Sequence, residues 1–139
     1  MNKLLIYTDG GARGNPGPAA IGIVFYDEKR NLVAKHKKYL GPKTNNQAEY
    51  LAVIEALRIA KKHVVEELIF YLDSELVCRQ LTGEYKIKHP ELMKLHAKAK
   101  ALENSYSKVT YKNVPRENEH IQEADALVNE ALDAHAGYV

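Results

Sequence analysis

Five consecutive apolar residues, Leu68-Ile69-Phe70-Tyr71-Leu72, run straight into Asp73. A strand with one wet face alternates polar and apolar side chains, whereas a short run apolar throughout reads as a strand covered on both faces. Such a strand needs a sheet with helices packed on each side of it. A second run has the same form, for Leu4–Thr8 is apolar and β-prone and is followed at once by Asp9. Each acidic residue therefore stands where a buried strand emerges, the edge at which open α/β sheets bind ligands.

The rest of the chain fits around these two strands. Lys3–Thr8 is the first strand, and the Gly/Pro-rich stretch Gly10–Pro18 reads as a loop. Ala20–Tyr26 and Leu32–Leu40 are two further strands, joined by the polar turn Asp27–Asn31, and the three form an antiparallel meander. Gly41-Pro42 breaks the chain, and Thr44 or Asn45 caps a helix that reaches Lys62. After Leu68–Leu72, Ser74 caps a short helix to Leu81 that Gly83 stops. His89-Pro90 opens a helix to Asn104, Lys108–Val114 is a fifth strand, and a last helix covers Asn118–Ala134. The tail Ala134–Val139 either docks on the sheet or frays. The order βββαβααβα predicts an α/β domain spanning residues 1–139. Its five-stranded mixed sheet carries helices on both faces, with strands one and four as parallel neighbours joined through the first helix.

Composition narrows the class. With 139 residues, 45% of them hydrophobic and 27% charged, the chain can bury a core unaided, and disordered and collagen-like readings fail. No apolar run reaches bilayer length, and Met1–Leu4 leads into no signal-peptide core, so no membrane association is expected. The lone Cys78 excludes an internal disulfide, suits a reducing cytoplasm and reads as core packing. A net charge of +2 permits a polyanionic partner without demanding one. Nothing marks a protein-partner surface, so a monomer is expected.

If the two strands are neighbours, Asp9 and Asp73 lie side by side and repel, which calls for a shared cation or a shifted pKa. Taken singly, each is more often a turn or cap residue. Glu49 falls near the start of the first helix with Asn45 and Asn46 on the same side. It reads either as a charge favoured by the helix dipole or as part of a polar cluster for a nucleotide or metal-bound water. Ile121, Ala124, Val128, Ala131 and Leu132 form an apolar stripe, and Asp125 falls inside it. A carboxylate there is costly unless it is ion-paired to Lys or Arg or completes a metal site. Four carboxylates without a Cys or His cluster suit Mg²⁺ or Mn²⁺, and two such ions about 3.5–4 Å apart could clamp a phosphodiester. None of the six histidines shows zinc-site spacing.

Four segments carry a family resemblance. Tyr7-Thr8-Asp9-Gly10-Gly11-Ala12-Arg13-Gly14-Asn15-Pro16-Gly17-Pro18 is similar to the opening signature of type 1 ribonuclease H. Thr44-Asn45-Asn46-Gln47-Ala48-Glu49, Leu72-Asp73-Ser74-Glu75-Leu76-Val77 and Ala124-Asp125-Ala126-Leu127 resemble its later motifs, in order. The resemblance covers essentially the whole chain and implies hydrolysis of the RNA strand of RNA–DNA hybrids, leaving 5′-phosphate and 3′-hydroxyl ends. It implies two Mg²⁺ ions per site, with Mn²⁺ as a substitute. Asp9 would bridge both ions, Glu49 and Asp73 would hold one, and Asp125 would complete the other. Gly10, Gly11, Asn15, Asn45, Asn46 and Glu75 would contact the substrate, mostly across the RNA minor groove, where the 2′-hydroxyl distinguishes RNA from DNA. Thr44 and Asn15 would help hold a phosphate of the DNA strand.

The chain departs from the long bacterial members of that family. It has no Trp, and Gly83–His89 leaves no room for their basic protrusion, so it resembles compact, single-domain, archaeal-like members. Lys86, Lys88, Lys94, Lys98 and Lys100 either supply substrate affinity or form a solvated face. No separate hybrid-binding domain precedes the first motif. In the loop before the fourth carboxylate, Arg116 is preferred over His120 as the residue assisting product release. Double-stranded RNA is a second candidate substrate. Two other classes stay open: another nuclease of the same broad fold, such as a resolvase, transposase or exonuclease domain, and a non-catalytic nucleic-acid-binding module.

Overall fold

A computed structural model describes residues 2–137. Five strands form one sheet in the order β3-β2-β1-β4-β5, with β1 Lys3–Ala12, β2 Gly17–Tyr26, β3 Leu32–Lys43, β4 Glu67–Leu72 and β5 Lys108–Asn113. The first three strands run antiparallel, while β4 is parallel to β1 and β5 parallel to β4. The helices are α1 Asn45–Ile59, extended by a 3₁₀ turn at Ala60–His63, then α2 Glu75–Leu81, α3 Pro90–Glu103 and α4 Glu119–Ala136. The sequence-based element order is reproduced, including the parallel pairing of strands one and four.

Alternation along the strands divides the core between two faces. Leu4, Ile6, Ile21, Ile23, Leu68 and Phe70 are buried together with Tyr50, Val53 and Leu57 of α1 and with Val77 and Leu92 of α2 and α3. Leu5, Tyr7 and Val24 point the other way and are buried against Ile121 and Ala124 of α4. Cys78 is buried in the first of these clusters, as its apolar neighbours suggest.

Two strand ends differ from the sequence reading. β1 does not stop at Thr8 but continues to Ala12, pairing Asp9, Gly10, Gly11 and Ala12 with Gly22, Ile21, Ala20 and Ala19. The loop thus shrinks from Gly10–Pro18 to the four residues between β1 and β2. β3 likewise runs through Gly41-Pro42 to Lys43, across a bulge opposite Ala19 and Ala20. Pro42 lies on an edge strand, where a missing N–H costs the ladder little. Of the tail Ala134–Val139, Ala134–Ala136 belong to α4 and Gly137 caps it with φ +82°; Tyr138 and Val139 lie outside the described residues. No described helix is long and apolar enough to cross a membrane.

Two glycines set how closely helices approach this sheet. A Cβ on Gly10 would overlap the Ala48 carbonyl of α1, and one on Gly22 would overlap the Ala124 carbonyl of α4. Helix backbone therefore presses on both faces beside Asp9, the cross-strand partner of Gly22.

Candidate active site

β4 ends at Leu72 while β1 continues to Ala12, so the later part of β1 has no strand on that side. Side chains of α1 take its place. Gly10 N–H donates to Glu49 Oε1 at 3.0 Å, and Ala12 N–H donates to Asn45 Oδ1 at 2.9 Å. Gly10 and Ala12 are two residues apart and so face the same side of the strand. The start of α1 is fixed in turn by a capping box, with Thr44 Oγ1 accepting from Gln47 N–H and the Gln47 side chain accepting from Thr44 N–H. Asn45 N–H donates to Asn15 Oδ1 at 2.9 Å, which ties the β1–β2 loop to the helix.

This arrangement gathers three of the expected carboxylates. Asp9, Glu49 and Asp73 each offer an oxygen within 4.8 Å of the others. Asp9 and Glu49 are 8% and 7% exposed, and the Asp73 side chain 14%. Burial, reinforced by the charges of Asp73 and Asp125, pushes the Asp9 carboxyl up from 3.8 to about 7 despite its hydrogen bond with Glu49. Glu49 is held well above the ordinary range by burial and by Asp9. Asp73 is raised by burial, with the Arg116 guanidinium opposing the rise. Two buried carboxylates and a half-buried one that resist ionising together form a set that a hard cation would relieve, and every donor in the set is a carboxylate oxygen. The residues present fit Mg²⁺ or Mn²⁺.

Asp125 departs from its sequence reading. It is exposed, not buried in the apolar stripe. Ile121, Ala124, Val128, Ala131 and Leu132 are buried as expected, and Asp125 stands at the margin of that stripe, turned toward the cleft. The desolvation argument for it therefore fails, yet it lines the same cleft as the other three, and its charge adds to the rise of the Asp9 pKa.

The four carboxylates line a cleft of about 790 Å³ together with Gly10, Gly11, Asn45, Asn46 and Arg116. Asn15, Thr44 and Glu75 do not line it. Asn15 and Thr44 brace the start of α1, and Glu75 accepts from the Tyr85 hydroxyl at 3.3 Å at the surface. Ser74, Ile121 and Gln122 also line the cleft. The sequence marks Ser74 only as a cap and Ile121 only as core, and the signal for Gln122 is its place three residues before Asp125 on the same helix.

The two residues competing for the loop are now separated. Arg116 is almost fully exposed at the lip, with Nε 3.8 Å from Asp73 Oδ2. His120 packs on the rings of Tyr7 and Tyr26, and its Nδ1 lies 2.6 Å from Glu123 Oε1. Of the five lysines, Lys100 is engaged structurally, donating to Leu81 O at 2.5 Å and pairing with Glu103 at 3.2 Å. Lys86, Lys88, Lys94 and Lys98 are exposed.

Known proteins are similar to this chain in sequence and fold. A family model described as reverse transcriptase-like matches residues 7–131. The bifunctional protein Rv2228c of Mycobacterium tuberculosis is 42% identical over 135 residues, covering 96% of this chain but only 36% of that protein. Its N-terminal RNase H domain, solved as a fusion, superposes with a TM-score of 0.91 at 40% identity, over 99% of both chains. Ribonuclease HI of Halobacterium salinarum is 41% identical over 127 residues, or 91% of this chain and 63% of that one. LC11-RNase H1, solved in complex with an RNA/DNA hybrid, has a TM-score of 0.90 at 42% identity, covering 96% of this chain and 99% of that one. The chain thus spans about a third of the mycobacterial relative and just under two thirds of the Halobacterium one. Likeness of this depth over the whole fold shows that the chain belongs to the ribonuclease H1 family.

Proposed function

We propose that this chain hydrolyses the RNA strand of RNA–DNA hybrids by a two-metal-ion mechanism, leaving 5′-phosphate and 3′-hydroxyl ends. The observation that carries the reading is the meeting of Asp9, Glu49 and Asp73 within 4.8 Å at the floor of an open cleft. A second support is LC11-RNase H1, a relative whose solved complex contains an RNA/DNA hybrid.

Two Mg²⁺ ions, or Mn²⁺ in their place, would polarise the phosphodiester and lower the pKa of the attacking water. Asp9, Glu49, Asp73 and Asp125 would hold them, with Asp9 central because it interacts with the other three. Gly10 and Gly11 carry no side chain and let an RNA backbone approach the floor closely. Asn45 and Asn46 present amides on the wall opposite α4, suited to the 2′-hydroxyl and base edges of the minor groove. Asn15 and Thr44, which brace the start of α1 beside the cleft, would help hold a phosphate of the DNA strand, and Glu75 would contact the substrate from outside the cleft lining. Arg116 stands at the lip beside Asp73, placed to draw the product phosphate away. A monomer is taken as the working unit.

The test is cleavage of end-labelled duplexes of one sequence, an RNA–DNA hybrid, a double-stranded RNA and a double-stranded DNA, each in Mg²⁺, Mn²⁺ and EDTA. Metal-dependent cleavage of the RNA strand in the hybrid, with the DNA duplex intact, is the expected result. The double-stranded RNA lane reports whether the 2′-hydroxyl requirement suffices without a DNA strand. No cleavage in either metal would overturn the reading.

A further inference from the structure

Asp125 is the one member of the acidic set that burial does not hold in place. Asp9, Glu49 and Asp73 are enclosed by strand and helix, whereas Asp125 lies exposed on α4. A free carboxylate on a helix surface explores its rotamers, and a metal ligand that does so binds weakly.

One neighbour restrains it. Asn129, one helical turn further on, donates from Nδ2 to Asp125 Oδ2 at 3.3 Å and to the Asp125 backbone oxygen at 3.2 Å. The Asn129 carbonyl oxygen accepts from Arg13 Nη2 at 3.3 Å, and the same Arg13 nitrogen lies 2.7 Å from Asp133 Oδ1. Arg13 offers only donors, and it uses them on Asp133 and on Asn129, which reaches back to Asp125. The Asn129 amide presents both a donor and an acceptor and joins Asp125 to Arg13, which also fixes which way the amide points. Arg13 is itself anchored, since its backbone N–H donates to Pro18 O at 2.9 Å across the turn.

We propose that Asn129, clamped by Arg13, is a positioning residue that aims the Asp125 carboxylate into the cleft. The inference rests on the metal-dependent nuclease reading of that cleft and adds to it the means by which its outer wall is ordered. The same loop holds the start of α1 through Asn15 and Asn45, so one turn sets both walls of the site.

The test compares the wild type with Asn129→Leu, Arg13→Ala, the double variant and Asp125→Asn. It measures Mn²⁺ uptake by titration calorimetry, thermal midpoints, and kcat and KM on an RNA–DNA hybrid. Asn129→Leu keeps the branching at Cγ, favours the helix more than Asn does, and removes both bonds to Asp125. It is expected to weaken uptake of the ion that Asp125→Asn weakens by about 10-fold, with kcat falling by a similar factor and KM nearly unchanged. Arg13→Ala should move uptake the same way by less, and the double variant should be no worse than Asn129→Leu, because the two residues act in series. Wild-type Mn²⁺ uptake and turnover in Asn129→Leu would overturn the proposal, as would a fallen thermal midpoint with unchanged uptake. Mn²⁺ uptake that Asp125→Asn leaves unaltered would overturn it too. Should the wild type bind Mn²⁺ yet cut no hybrid, the nuclease reading fails, and the positioning role is still decided by the uptake of Asn129→Leu.

Discussion

The two walls of the cleft are built by opposite means. On one side Asp9 and Glu49 are buried and Asp73 half-buried, Glu49 is bonded to the Gly10 backbone, and all three are pushed toward their neutral forms, chiefly by burial. On the other, Asp125, Asn129 and Arg116 are exposed and held by long hydrogen bonds and an ion pair in water. Burial fixes geometry and stores repulsion. Exposure avoids the repulsion but leaves geometry to weak contacts that solvent screens. The inner wall should therefore fail completely when altered, and the outer wall by degrees.

The largest effect should come from the inner wall. Asp9→Asn or Asp73→Asn is expected to abolish cleavage of a labelled hybrid, with far-ultraviolet circular dichroism unchanged. Retained activity in either would remove the distinction between the walls. Gly10→Ala should follow, since its Cβ would meet the Ala48 carbonyl, helix backbone that cannot rotate aside. A loss of about 3 kcal/mol in urea-unfolding stability is expected.

Stability against pH sharpens the comparison further. The folded Asp9 pKa lies at about 7, above its ordinary 3.8. The protonated carboxyl therefore favours the folded state fully below pH 4, and that contribution is lost as pH rises through 7. In EDTA, Asp9→Asn should match the wild type near pH 4 and exceed it at pH 8 by on the order of 3 kcal/mol, read from urea midpoints. A constant difference across that range would show that the inner wall stores no repulsion. The smallest effect belongs to the lip. Arg116→Ala should slow steady-state turnover a few-fold while hybrid binding by fluorescence anisotropy stays put, in keeping with a single exposed ion pair. His120→Ala should instead act on stability, because its ring fills space between Tyr7 and Tyr26.

What was legible in the chain followed from periodicity and capping. The apolar runs at Leu4–Thr8 and Leu68–Leu72 located the two parallel strands, and Thr44, Ser74 and Pro90 marked helix starts that the structure reproduces. Three carboxylates could be placed from strand ends and one helix start. Strand length beyond Thr8 could not, because Gly10, Gly11 and Ala12 pair through backbone and carry no apolar signature. Gly41-Pro42 misled for a related reason: an edge strand tolerates residues that would break an interior one. Asp125 misled by angle. At roughly 100° per residue it lies about 70° from the centre of the stripe formed by Ile121, Ala124, Val128, Ala131 and Leu132, at its margin and not in its seam. Asn129 and Arg13 were invisible together, since 116 positions separate them.

The mismatch in length between β1 and β4 has a bearing on how the site can be lost or gained. Its floor exists because one strand stops while its neighbour continues, and side chains of α1 occupy the vacated edge. Were two residues inserted before Asp73, β4 could grow alongside Gly10 and Ala12, displace Glu49 and Asn45, and fill the notch with every acidic residue still encoded. For this architecture a change in chain length at the end of β4 is as damaging as the loss of a ligand, and a comparison of sequences that scores only residue identity would overlook it.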